Sequence, residues 1–253
     1  MKKKSSFIFI LIFCLTSTSW MFSESKILKK VDEKTIGSQA PKDMEATITM
    51  KIVSSSGNEK IRKIKAWSKN LEEKNDLRVM KFLSPPDVRN IGFLVLDENQ
   101  MYLYLPEFRR IRRIASHSKK ESFMGSDFSY YDMGTSGFSE FYNSSLLKED
   151  DMNWVLKLKK KPGKDKPYKS LKMWVSKESG LPWKTEMYDD SGKLWKETIQ
   201  EVKQKGDYWI PVQITMKDKK NGSYTVMTME DISVDQNLDD SIFTTRFLKR
   251  RVR

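Results

Sequence analysis

His117 is the only histidine of the chain and Cys14 the only cysteine, so most side-chain chemistry would have to rest on these two. A zinc site gathers three or four ligands from Cys, His and carboxylates, and a single His with no cysteine near it does not make one. A Ser/His/Asp arrangement would depend entirely on His117. The segment Met124-Gly125-Ser126-Asp127-Phe128 lacks the G-x-S-x-G elbow that exposes a nucleophilic serine. The carboxylate pairs Asp150-Asp151, Asp189-Asp190 and Asp239-Asp240 fall where Asp serves turn geometry. No two carboxylates are singled out as the opposed acid and base of a glycosidase. The sequence therefore predicts a protein that is not an enzyme and carries no cofactor and no metal.

One cluster has the chemistry for contact with anions. Phe108-Arg109-Arg110-Ile111-Arg112-Arg113-Ile114 is the densest basic run, and Arg109, Arg110, Arg112 and Arg113 are candidate contacts for phosphate head groups or an acidic partner. The plainer alternative is a solvated strand or turn whose Phe108, Ile111 and Ile114 pack inward. A second basic cluster, Lys249-Arg250-Arg251, closes the chain and reads as a frayed tail.

The beginning of the chain bears on the partners these arginines would meet. Lys2-Lys3-Lys4 precedes a nine-residue apolar run from Phe7 to Leu15 and then small polar residues, the layout of a secretory signal peptide. We expect residues 1–23 to be a signal peptide and residues 24–253 to be the exported domain. Cys14 lies inside the apolar run, which argues against a lipid-modified N-terminus. The full chain of 253 residues has 47 Lys+Arg against 34 Asp+Glu, a net charge of +13, and loss of residues 1–23 leaves +10 with no cysteine. An exported chain that cannot form a disulfide suits a bacterial periplasm, where nucleic acid is not an expected partner. No run of about 20 apolar residues is present, which excludes a helical multi-span protein.

The elements that must position these groups read as mainly β. Residues 25–36 have helical spacing of Ile27, Leu28, Val31 and Ile36, and Gly37 stops the pattern. From Met44 the period changes to two, with Met44, Ala46, Ile48, Met50 and Ile52 on one face. Ten further strands fit residues 59–68, 77–83, 93–97, 101–105, 154–160, 171–176, 183–188, 194–202, 208–216 and 224–232, separated by Pro, Gly, Asn and Asp turns. The segment 115–150 reads as loop, with a short helix near 137–147. About 11 strands with short turns imply one antiparallel meander, either a single curved sheet or an open barrel. Several strands carry bulk on both faces, as where Trp174 separates Met173 from Val175. Such residues are either core under a helical layer or the lining of an apolar ligand cavity, to which adaptable Met side chains are suited.

An ordered series of motifs points further. Phe82-Leu83-Ser84-Pro85-Pro86-Asp87 leads through Ile91-Gly92 into Phe93-Leu94. Tyr102-Leu103-Tyr104-Leu105-Pro106 runs into the arginine cluster, and Ser122-Phe123-Met124-Gly125-Ser126-Asp127-Phe128-Ser129-Tyr130 with Asp132-Met133 completes the series. Together they resemble the outer membrane lipoprotein-sorting protein family, a branch of the LolA/LolB-like superfamily. The resemblance implies a single-domain incomplete antiparallel β-barrel with a helical lid. It also implies an apolar cavity for lipoprotein or lipid acyl chains, and a periplasmic carrier that passes cargo from the inner membrane to an outer-membrane acceptor. The chain has no phosphate-binding loop, so an ATP-driven inner-membrane extractor would have to supply the energy. On this reading Met50, Ile52, Phe93, Leu103, Trp154, Met173, Trp183 and Ile210 are the candidate cavity residues. The competing expectation is a periplasmic sensor or adaptor on the same scaffold that binds a protein partner and carries no cargo.

Overall fold

In a computed structural model, residues 16–72, 76–134 and 137–252 are described. Residues 1–15, which hold most of the expected signal peptide and Cys14, lie outside the described residues.

Alternating apolar residues build the sheet. In Asp43–Val53 the side chains of Ala46, Ile48, Met50 and Ile52 are buried while those between them are half-exposed, as expected for a strand with one face on a core. Among the described residues thirteen strands form one antiparallel sheet. Across the sheet the order is β6 (Arg110–Arg113), β5 (Gln100–Leu105), β4 (Gly92–Asp97), β3 (Leu77–Ser84), β2 (Glu59–Lys69), β1 (Asp43–Val53), β13 (Tyr224–Val234), β12 (Tyr208–Asp218), β11 (Leu194–Lys205), β10 (Pro182–Tyr188), β9 (Ser170–Ser176), β8 (Asn153–Lys160) and β7 (Tyr142–Glu149). The ends β6 and β7 do not pair, so the barrel is incomplete. The eleven expected strands are all present, and two more flank them.

One addition, β7, corrects the sequence reading, and the other, β6, matches the solvated strand or turn that is the plainer alternative for the arginine run. The short helix expected near 137–147 is instead the strand β7, which pairs antiparallel with β8 through Ser144↔Leu158 and Leu146↔Leu156. Tertiary pairing here overrides a local pattern with too few apolar residues to choose a period. A bulge between Leu146 and Lys148 leaves Leu147 exposed. The arginine run forms β6 and the turn before it, with Arg109 at φ 50°.

Helices cover both faces. On the inner face, α1 (Thr16–Thr35) buries Ile27, Leu28 and Val31 in the main apolar cluster. Its C-terminal end is held by the Asp32 carboxylate, which accepts from the amides of Phe138 and Ser139 at 2.7 Å each. A side chain at Gly137 (φ +76°) would run into Ile36 at 2.8 Å, so the glycine admits the helix. On the outer face a second cluster joins Trp67, Val79, Leu94 and Tyr104 to Phe243 and Leu248 of the C-terminal segment, where α3 (Thr245–Leu248) lies. The C-terminus is therefore docked rather than frayed, with the basic residues Arg246, Lys249, Arg250 and Arg251 exposed to solvent. Among the described residues no helix is long and apolar enough to cross a membrane.

Candidate functional site

The inner face of the sheet is filled at one end and hollow at the other. The filling is the motif-rich segment before β7. It has two 3-10 turns, Ser116–Lys120 and Phe123–Gly125, and the short helix α2 (Tyr130–Gly134). Phe123 is fully buried, with ring centroids 5.1 Å from Phe93, 6.1 Å from Phe82 and 5.5 Å from Tyr130. Polar clasps hold this aromatic plug. Asp127 accepts from the hydroxyls of Ser223 (2.5 Å) and Thr225 (2.6 Å) at the start of β13, the middle strand of the sheet. Lys196 donates to the Asp127 carbonyl at 2.6 Å and pairs with Asp132 at 3.5 Å. The Tyr168 hydroxyl donates to Asp132 at 2.8 Å, and burial together with that carboxylate pushes the phenol well above its ordinary range.

Beyond the plug lie two adjoining cavities of 330 and 270 Å³. Thr35 of α1, Arg78, Phe138, Pro182 and Gln200 line both. The first is walled mainly by apolar residues, among them Ala46, Ile48, Ala66, Met80, Ile210 and Met229. The second is bounded by the plug and its clasp, through Phe128, Tyr131, Asp132, Tyr142 and Tyr168. Together they reach the range of small-molecule and lipid sites, roughly 300–1,000 Å³.

Charged side chains reach this space at Lys34, Asp76, Arg78 and Asp132, and Arg78 is the one that lines both cavities. Arg78 lies where the cavities meet, donating to the carbonyl of Met133 in α2 and pairing with Asp76 at 3.3 Å. Burial raises the Asp76 carboxyl above its ordinary value, and Arg78 opposes that shift. Its Oδ1 has no partner among the described residues.

Of the expected cavity residues, Ile210 lines the first cavity and Trp183 lies at the surface, on a groove beside it. Met50, Ile52, Phe93, Leu103 and Met173 sit in the packed inner cluster with Trp154 against it, and they line neither cavity. The cause is the plug: Phe93 packs directly on Phe123, and the face carrying Met50 and Ile52 is filled at that end. The residues missed, Ala46, Ala66, Met80 and Met229, follow the same alternation further along the strands. The strand pattern marks the face of each side chain but not the depth at which the filling stops. Arg109, Arg110, Arg112 and Arg113 are exposed on the turn and edge strand β6, far from the cavity walls in sequence and lining neither cavity. They have no ion pair among the described residues; Arg113 donates to the Asn99 carbonyl at 3.0 Å. Phe108 beside them is 62% exposed rather than packed inward, whereas Ile111 packs against the outer cluster and Ile114 is buried in the inner one.

An open antiparallel sheet wrapped around a helix and an apolar hollow defines the LolA-like fold, and solved structures agree. A domain described as an outer membrane lipoprotein-sorting protein, from Vibrio parahaemolyticus, is 26% identical with a TM-score of 0.83, over 91% of this chain and 100% of that one. A DUF1329 family protein from Desulfovibrio piger is 24% identical with a TM-score of 0.83, over 90% and 99%. A LolA superfamily protein from Nitrosomonas europaea is 20% identical with a TM-score of 0.70, over 88% and 98%. A family model described as "Uncharacterized protein" matches residues 74–250, and the chain belongs to that family. A search of curated proteins finds no match.

Proposed function

We propose that this protein is a periplasmic carrier that shelters the acyl chains of a lipoprotein or lipid and helps deliver them to the outer membrane. The observation that supports this most is the pair of adjoining cavities on the inner face of an unclosed sheet, the first walled mainly by apolar side chains such as Ala46, Ile48, Ala66, Met80 and Ile210, with charged side chains at Lys34, Asp76, Arg78 and Asp132. Each CH₂ withdrawn from a bilayer into water costs about 0.8 kcal/mol, so cargo with two or three chains needs an apolar host to leave a membrane. The likeness to the Vibrio parahaemolyticus domain, described as lipoprotein-sorting, supports the same reading. The signal peptide over residues 1–23, an ATP-driven extractor in the inner membrane and an acceptor in the outer membrane are parts of this proposal. The chain's role in it is binding rather than catalysis.

The test is uptake of a fluorescent fatty-acid probe by the purified exported domain. Saturable uptake, competed by a diacylated lipoprotein, is the expected result, and absence of saturable uptake overturns the reading. Depletion in cells separates a carrier from an adaptor: loss of a carrier strands lipoproteins in the inner membrane, whereas loss of an adaptor leaves their sorting intact.

A further inference from the structure

Beside the first cavity, across Leu181, Pro182 and Trp209, which belong to both, lies a surface groove of 370 Å³. Its walls differ in kind from those of the cavity. Asn153, Ser176 and Glu178 stand among Met152, Trp183 and Val202, so hydrogen-bonding groups alternate with apolar ones as they do where a polypeptide is bound. Met152 is 63% exposed and Trp183 38%.

Neither exposed side chain hangs on a loose segment. The Met152 amide donates to Asp150 Oδ1 at 3.1 Å, and its carbonyl accepts from the amide of Lys177 at 2.8 Å. Trp183 Nε1 donates to Asn153 Oδ1 at 2.9 Å. Large apolar groups held in place before binding lose little freedom on contact, and burial of an aromatic side chain of this type is a common source of binding energy. Methionine adapts to varied partner shapes. Glu178 in the groove and Asp151 beside it are exposed and have no ion pair among the described residues, which favours a neutral or basic occupant.

We propose that this groove holds the stretch of polypeptide that follows an acylated residue whose hydrocarbon occupies the first cavity. The inference rests on the carrier reading and extends it from the hydrocarbon to the peptide attached to it. A carrier built this way distinguishes an acylated peptide from a free fatty acid, and it favours cargo whose first residues are neutral or basic.

The experiment compares three ligands by titration: palmitic acid, a hexapeptide palmitoylated at its N-terminus and containing two lysines, and the same acylated peptide with two glutamates in their place. The parent protein is expected to bind the lysine peptide more tightly than the glutamate peptide. The double variant Met152→Ser/Trp183→Ser is expected to weaken the lysine peptide about fivefold or more while leaving palmitic acid unchanged. Glu178→Lys, an exposed change that leaves the fold in place, is expected to reverse the preference between the two peptides. Equal binding of the lysine peptide by parent and double variant, or an unchanged preference in Glu178→Lys, overturns the groove. An equal loss of palmitic acid and peptide in the double variant also overturns it, because the residues would then serve the acyl cavity. Failure of the parent to bind palmitic acid at all instead sinks the carrier reading, and the groove assignment with it.

Discussion

Ala46 of β1 and Ala66 of β2 are directly paired across the sheet, and both line the first cavity. Alanine is a poor strand former, so two of them opposite one another on the inner face leave space that a Val or Ile pair would fill. The row continues to Met80, the partner of Ala66 on β3. On the other side β1 bulges against β13 between Glu45 and Thr47, at Ala46 itself. The hollow is thus written into the strands as a missing pair of side chains.

Ala66→Phe should fill that space. A phenyl ring entering an existing cavity meets less strain than one forced into a packed core, where overpacking costs roughly 1–3 kcal/mol. The expected outcome is a loss of fatty-acid probe uptake of about tenfold or more with a thermal midpoint near that of the parent. Unchanged uptake would show that the acyl chain goes elsewhere.

The clasp on the aromatic plug makes a second prediction. Thr225 is fully buried; its hydroxyl donates to Asp127 Oδ2 at 2.6 Å and accepts from the Asp127 amide at 3.0 Å. Thr225→Val keeps the shape and removes both bonds, leaving a carboxylate short of a donor. Hydrogen bonds to charged groups contribute about 1.5–3 kcal/mol, and a loss of that size should appear in urea unfolding as a lower midpoint with the same slope. A midpoint equal to the parent's would mean that the ring packing around Phe123 holds the segment unaided.

The arginines of the edge strand make a third. Changing Arg109, Arg110, Arg112 and Arg113 together to Ala removes four exposed cations and leaves Ile111 to pack on the outer cluster. Binding to vesicles containing anionic lipid at low salt should be lost, and in the parent it should weaken as salt rises, because exposed charges are screened. Probe uptake should be unaffected, since none of the four lines either cavity. Vesicle binding that survives the fourfold change would remove the anion-contact role.

Much of this architecture was legible in residue order. Period-two alternation from Met44 to Ile52 marks β1 and its buried face, and turn residues punctuate the strands that follow. The strand β7 was not legible, because Ser, Asn and Leu over 142–149 carry no clear period and the strand exists through its pairing with β8. The cavity was legible in its face and not in its position. Met50 and Ile48 lie on the same face two residues apart, yet Met50 is in the filled end and Ile48 lines the hollow. What separates them is where Phe123 lodges, against Phe82 and Phe93 roughly 40 and 30 positions earlier in the chain, which no local pattern encodes. The docking of the C-terminus was likewise hidden, because it depends on a buried lysine finding a carbonyl.

That lysine is Lys81, fully buried in β3, with its ammonium donating to the carbonyls of Leu248 and Asn90 and lying 5.4 Å from the centre of the Tyr104 ring. Among the described residues no carboxylate pairs with it, and burial lowers it from its ordinary 10.5 to about 8. The folded chain therefore releases this proton near pH 8 while the unfolded chain holds it to about 10.5. Between those values the unfolded state binds more protons, so this group's contribution to stability rises with pH. Below about pH 8 both states are protonated, and the folded state bears the whole cost of the buried charge. Lys81→Met keeps the chain length and removes the titration. Its thermal midpoint relative to the parent should fall steadily from pH 7.5 to 10.5, apart from a constant offset for the lost bonds to the C-terminal segment. Differential scanning calorimetry of the two proteins across that range measures the gap directly, and parallel curves would show that Lys81 is not the group that titrates.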